Sequence, residues 1–371
     1  MKDTPPQPVQ LALGTGQLQQ DFVRVTMDRI ADPRWQYALV VRKDVTRIRP
    51  RDGLAAPDPA HPVRSVGLLY REDVEADLEV FGVQSRFEID PASWLEEWLK
   101  FNGLHPAASL RWPLLGGISG DLVAEWTIDG LGYAGRFATF KSGSRLFVVC
   151  CRAKRENYDR IADDFFLALS QFKLAQSDPT PLAEALRFAG GPSPVPWKLS
   201  IPASWDMVGV ENQGPGGTIQ AAATPPADHD RGAVSATTPF PGLPEGDPIS
   251  WFPPTWNAQL SATLAPSFVI GGWDAAGDLC LSTLRDAGLE LEDKRFVDEA
   301  PLGPFEQSRS LVTPARLRGE PGAEARCRLA RVGPVWYISA GVGVVRAVNP
   351  HAWMRNARAH DLVAQTVELE L

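Results

Sequence analysis

The residues of this chain that could do chemistry are five histidines, four cysteines and a scatter of adjacent carboxylates. Protein metal sites draw on His, Cys, Asp and Glu at short, fixed spacings, and His61, His105, His229, His351 and His360 offer no such pattern. His351 and His360 lie nine residues apart on a predicted helix, a rotation of roughly 180°, so they face opposite ways and are expected at the surface. Cys150 and Cys151 are neighbours in a predicted strand and point to opposite faces. Cys280 and Cys327 are isolated, so neither a CxxC motif nor a disulfide framework is present.

Glu96-Glu97, Asp163-Asp164 and Glu290-Leu291-Glu292-Asp293 could each supply an acid–base pair, but charges on the outer face of a helix or edge strand are the commoner reading. Ser119 and Ser142 have no neighbouring base, and no Gly-x-Ser-x-Gly elbow occurs. Cys150 falls in a strand expected to be buried, where a thiol is inert. Gly14-Thr-Gly16, Gly214-Pro-Gly-Gly217 and Phe140-Lys-Ser142 lack the further glycines or helix starts of phosphate-binding loops and read as turns. No catalytic residue, metal site or cofactor is therefore assigned.

Aromatic residues are the stronger lead. Most of the twelve tryptophans fit a core by periodicity: Trp94 and Trp98 on one helix, Trp336 on a strand, Trp353 on the last helix. Trp251, Phe252 and Trp256 do not. They sit in a Pro-rich run where Pro253-Pro254 forbids continuous helix. Apolar aromatics on a loop either cap the domain's own sheet or meet a partner, and tryptophan is enriched at interface hot spots. These three are the candidate partner-binding residues.

The elements that position them centre on residues 132–174. Tyr133–Phe140 and Leu146–Cys151 are apolar runs separated by Lys141-Ser-Gly-Ser-Arg145, a break of hairpin length. The second run is apolar on both faces, as in a central strand covered by helix. The cover follows at once, since Tyr158, Ile161, Phe165, Leu169 and Phe172 recur at helical spacing. Upstream, Trp35–Val41, Arg64–Tyr70, Ala76–Phe87 and 121–128 read as strands. Asp90-Pro91 starts a helix that Gly103 ends.

A weaker copy returns downstream. At a shift of 190 positions Gly143 falls on Gly333, Arg136 on Arg326 and Leu146-Phe-Val148 on Trp336-Tyr-Ile338; at 185, Gly103 falls on Gly288. This is the signature of a divergent duplication. The second copy is expected to hold strands at 197–205, Gly217–Ala223, Ala233–Thr238, Phe268–Ile270, 305–312, Ala323–Arg331 and Val335–Ala340. Helices are expected at Asp278–Ala287 and from His351 to about Thr366.

The fold class is α+β, with two tandem domains, each an antiparallel β-sheet flanked by helices. Residues 1–33 form an N-terminal arm with a short helix from Gln17 to Ile30, and 34–174 the first domain. Residues 175–196 are a linker around a short helix, Leu182–Phe188. The second domain is 197–371, with the Pro/Trp-rich insertion at 239–266. A length of 371 residues suits two domains of about 150 each. A net charge of −8 argues against nucleic acid as the partner, since phosphate neutralisation needs clustered Lys and Arg. No apolar run approaches the roughly 20 residues of a spanning helix, and Met1–Pro8 has no leader-like apolar stretch, so membrane insertion is not expected and a cytoplasmic location is.

The opening of the second domain, Trp197-Lys-Leu-Ser-Ile-Pro-Ala-Ser-Trp205, resembles the apolar strand, Pro, two small residues and Trp that begin domains of the PsbP/Mog/DcrB-like superfamily. The order of elements in both halves is similar to that fold; the first half departs from it, with Val41-Arg-Lys-Asp44 in place of the Pro-containing turn. The resemblance implies an antiparallel sheet flanked by helices and a family that mostly binds proteins. It further implies kinship with DcrB-like chaperones that shield apolar segments of type VI secretion effectors.

Three functions follow. The leading expectation is a non-catalytic bacterial adaptor or chaperone binding a protein client. The others are a structural or regulatory subunit of a bacterial assembly, and an enzyme with its site between the two domains.

Overall fold

The computed structural model describes residues 20–28, 30–48, 55–57, 63–85, 87–114, 117–180, 182–191, 196–211, 217–223 and 258–370. The chain divides into two compact units. Among the described residues the first holds those up to 85 and from 90 to 183, and the second holds 87–89 and those from 184 onward.

The first unit runs β1 (Phe22–Met27), β2 (Tyr37–Arg42), β3 (Thr46–Ile48), β4 (Val63–Arg71), β5 (Ala76–Gln84), α1 (Pro91–Phe101), β6 (His105–Leu114), β7 (Gly117–Ile128), β8 (Leu131–Ser142), β9 (Arg145–Lys154), α2 (Arg155–Ser170) and β10 (Lys173–Leu174). Strands β3-β4-β5-β9-β8-β7-β6 form an antiparallel sheet, and β1-β2-β10 form a small second one. β9 is buried along nearly its whole length because both faces are covered, as its unbroken apolar run predicts. On one side Phe147, Val149 and Cys151 pack with Tyr158, Ile161, Phe165 and Leu169 of α2 and with Trp35 and Tyr37. α1 contacts β6, β7 and β8. It begins where Asp90 caps the backbone N–H of Ser93 at 2.9 Å with Pro91 in its first turn, and it buries Trp94, Leu95, Trp98 and Leu99.

The second unit runs β11 (Leu186–Gly191), β12 (Trp197–Pro202), β13 (Trp205–Glu211), β14 (Gly217–Ala223), β15 (Ala258–Pro266), α3 (Trp273–Asp286), β16 (Leu289–Leu291), β17 (Val297–Glu299), β18 (Gln307–Leu317), β19 (Glu320–Val332), β20 (Val335–Val344), α4 (Pro350–Gln365) and β21 (Glu368–Leu369). Its large sheet follows the first in the order β13-β14-β15-β20-β19-β18-β16 and adds β17, paired to β18, as an eighth strand, while β11-β12-β21 repeats the small sheet. The matched glycines do the same work in both units. Gly103 and Gly288 end α1 and α3 at φ 73° and 84°, and Gly143 and Gly333 turn the central hairpins at φ 60° and 50°. The duplication legible in the sequence is thus a duplication of topology.

Several local expectations give way to strand pairing. The helix expected from Gln17 to Ile30 is replaced by β1, whose Val23, Val25 and Thr26 favour extended chain and whose residues pair from Phe22↔Arg42 to Met27↔Tyr37. The helix expected at Leu182–Phe188 would be too short to hold alone, and β11 pairs with β12 instead, Leu186↔Pro202 to Gly191↔Trp197. The strand expected at Phe268–Ile270 lies at Ala258–Pro266, where Ala258, Leu260, Ala262 and Leu264 alternate inward; small alanines blur that period. The strand expected at Ala233–Thr238 lies outside the described residues. His351 and His360 are both buried, each 6% exposed, because α4 is covered on more than one face.

Candidate functional site

Trp251, Phe252 and Trp256, the partner-binding residues expected from sequence, lie outside the described residues. Among those described, the carboxylate neighbours are mostly surface charges. Glu96 and Glu97 pair with Lys100 at 2.8 and 3.2 Å on the outer side of α1, and Glu290, Glu292 and Asp293 are exposed. Asp164 is the exception: it turns inward onto Arg71 at 2.7 Å, and burial raises its carboxyl above the usual range. Ser142 is structural, its Oγ accepting the Asp178 backbone N–H at 2.8 Å. The Cys150 thiol is fully buried and pushed well up by desolvation, so it is inert.

Two polar clusters are not legible in the sequence because each joins elements distant along the chain, two strands in one and a strand and a helix in the other. In the first unit Arg152 of β9 lies between Asp77 and Glu79 of β5, with bonds of 2.6 and 2.8 Å. The two carboxylates share a face because they are two apart on one strand. Desolvation raises both carboxyls, the guanidinium opposing it. Each carboxylate is engaged by the arginine, so the cluster is an ion-paired seam.

In the second unit Ser339 Oγ of β20 and His360 Nε2 of α4 are 3.0 Å apart, the spacing of a nucleophile and its base. Their surroundings argue otherwise. Ser339 is fully buried at mid-strand, and Asp361, the carboxylate next in sequence to His360, is held by Arg328 at 2.9 Å. Burial and the Arg328 and Arg326 charges hold the imidazole neutral, well below its ordinary pKa. The pair satisfies two polar groups inside the sheet–helix interface. Beside it, Trp353 donates its indole N–H to Glu324 at 3.0 Å, Glu324 pairs with Arg326 at 2.7 Å, and the Arg326 and Arg346 guanidiniums lie 5.0 and 4.9 Å from the Trp353 ring.

Two small clefts are lined by described residues. The first unit has a cleft of about 40 Å³ among Val41, Leu69, Leu78, Ile161, Phe165 and Ala168, and the second unit has one of about 20 Å³ by Trp353 and His360. These volumes hold a few water molecules.

The feature that faces outward is the loop between β15 and α3. Phe268 is 78% exposed and Val269 48%, the most open large apolar pair among the described residues. The loop is anchored: Ser267 N–H donates to Pro334 O at 2.7 Å, Val269 and Ile270 N–H both reach Pro266 O, and Ile270 is buried beneath. It leads into Trp273, which meets Trp336 edge-on at 4.7 Å. Arg309 lies 4.6 Å over Trp273, and Arg331 lies 5.9 Å over Trp336. Trp336 is itself buried, at 2% exposure, so the outward part of this segment is Phe268, Val269 and the half-buried Trp273 under Arg309, aromatic and arginine residues of the kinds enriched at interface hot spots. The signal in the sequence is the apolar pair Phe268-Val269 itself, which on its own has the pattern of a strand.

No family model matches the chain, and no curated protein matches it. Among solved structures it is similar to the cyanobacterial PsbP of Synechocystis, at 10% identity and a TM-score of 0.32 over 46% of this chain and 99% of that one. It is also similar to LpqN, involved in cell envelope biogenesis of Mycobacterium tuberculosis, at 12% identity and a TM-score of 0.27 over 50% of this chain and 92% of that one. A third is the type VI secretion immunity protein TplEi of Pseudomonas aeruginosa, at 12% identity and a TM-score of 0.21 over 90% of this chain and 94% of that one. No functional residue is carried across from these structures. Among the described residues no helix is long and apolar enough to cross a membrane.

Proposed function

We propose that the chain is a non-catalytic protein-binding adaptor or chaperone whose second unit carries the partner surface. The observation behind this reading is Phe268, 78% exposed on a loop held in place by backbone hydrogen bonds. A loop whose backbone is already fixed loses little further entropy when a partner covers it. The surface extends over Val269, Trp273, Arg309 and Arg331, and we assign the Pro/Trp-rich segment with Trp251, Phe252 and Trp256 to the same role. On the PsbP/Mog/DcrB-like resemblance the client is an apolar segment of a bacterial protein, of the kind handled in type VI secretion.

The test is purification from native cells at low and moderate salt, with mass spectrometry of what accompanies the wild type and a Trp251→Ala/Trp256→Ala variant. One abundant companion, lost in the variant, is the expected result. A wild-type chain that emerges alone and monomeric at both salts contradicts the reading. Recovery of both forms in one fixed stoichiometry would make the chain an assembly subunit instead.

A further inference from the structure

Cys280 and Cys327 stand 47 residues apart in the sequence and meet in the fold. Cys280 is on α3 and Cys327 on β19; both are buried, at 0% and 1% exposure, in one apolar cluster with Ala276, Leu284, Leu311 and Leu329. Cys280 Sγ reaches the Ser339 carbonyl of β20 at 3.5 Å, and Cys327 pairs in register with Ala340, the next residue on that strand. Both are free thiols. Helix and sheet thus bring both cysteines to the same stretch of β20 within one buried cluster.

The helix carrying one of them is weakly built. α3 starts at Gly272 with no side-chain cap, so its first N–H groups lack the partner that Asp90 and Asn349 give α1 and α4. It also has Gly277 in its interior. A methyl group there would meet Phe296 at 3.5 Å and Leu329 at 3.9 Å, ordinary contact distances, so packing does not demand glycine. A helix-interior glycine that packing does not require lowers the cost of local opening.

We propose that Cys280 and Cys327 are a latent disulfide of the second unit, closed by thiol–disulfide exchange when α3 opens locally. The oxidant is a low-molecular-weight disulfide such as glutathione disulfide. The Cys280 thiolate attacks one of its sulfurs, forming a mixed disulfide and releasing one glutathione thiolate. The Cys327 thiolate then attacks the Cys280 sulfur and expels the second. Two protein thiols are oxidised and one glutathione disulfide is reduced to two glutathiones, whose expelled thiolates take up, through solvent, the two protons the protein thiols lose. The neighbouring Cys280 thiol and burial both push the Cys327 thiol up, so exchange runs through the opened form.

The test incubates the native full-length protein with glutathione disulfide, quenches it with an alkylating reagent and maps peptides without reduction. The expected product is a Cys280–Cys327-linked peptide, with Cys150 and Cys151 recovered as thiols. Gly277→Ala steadies α3 and should slow the reaction roughly two- to fivefold. Cys327→Ser should stop at a glutathione adduct on Cys280. The proposal is overturned if Cys280 and Cys327 stay reduced until the chain is globally unfolded, if Gly277→Ala reacts as fast as the wild type, or if Cys327→Ser yields no Cys280 adduct.

Discussion

Arg136 and Asp121 face each other across β8 and β7 through two parallel bonds of 2.9 and 2.5 Å, and both are more than nine-tenths buried. The guanidinium also lies 5.0 Å from the Phe166 ring of α2. Its counterpart Arg326 in the second unit is likewise held by a carboxylate and an aromatic ring of the closing helix, Glu324 and Trp353. One duplicated position therefore holds a cation under the last helix twice, fully buried at Arg136 and half-buried at Arg326.

Removing one partner leaves the other charge stranded. Asp121→Ala should cost about 3–5 kcal/mol, the usual effect of breaking a buried pair. Denaturant unfolding checks this, and a loss below about 1 kcal/mol would show the pair to be solvated.

The turn glycines should differ in tolerance. At Gly143 an added methyl would come within 2.4 Å of the Asp178 carboxyl, whereas at Gly333 nothing lies within 4 Å. Gly333→Ala should cost only the left-handed backbone strain, about 1–2 kcal/mol. Gly143→Ala should cost clearly more, because it also displaces the Asp178 segment from the hairpin. Equal shifts in the unfolding midpoint would contradict this packing.

Acid should weaken the second unit. Burial and Arg355 push His351 down to about 3, and burial with Arg328 and Arg326 lowers His360 well below its ordinary value. A depressed histidine binds its proton in the unfolded chain first, so the stability it contributes is complete above about pH 6.5 and is lost as pH falls below that value. Asp361 works in the opposite sense over a lower range, since burial raises its carboxyl. Urea midpoints should fall from pH 7 to pH 5 for the wild type and fall less for His360→Asn.

The parts of the fold legible in the sequence are those decided locally. Asp90-Pro91 and Gly103 bracket α1, the run Leu146–Cys151 is the buried β9, and Tyr158, Ile161, Phe165 and Leu169 form the buried stripe of α2. What was hidden depends on distant partners. β1 is a strand because β2 offers it an edge, β11 because β12 does, and β15 because β14 and β20 flank it. Nothing near His360 in the sequence announces Ser339, and nothing near Cys280 announces Cys327. The candidate surface was half legible: Phe268-Val269 had the apolarity of a strand, and only its place beyond the end of β15 turns it outward.

The measurement that bears most directly on the protein-binding reading is a titration of the partner recovered from native cells against the wild type and Phe268→Ser. An exposed substitution should leave stability within about 0.5 kcal/mol, so any change in binding is a surface effect. We expect affinity to fall at least tenfold, the loss of a hot-spot side chain worth about 1.4 kcal/mol or more. Unchanged affinity in Phe268→Ser, at unchanged stability, would contradict the assignment of this loop as the partner surface.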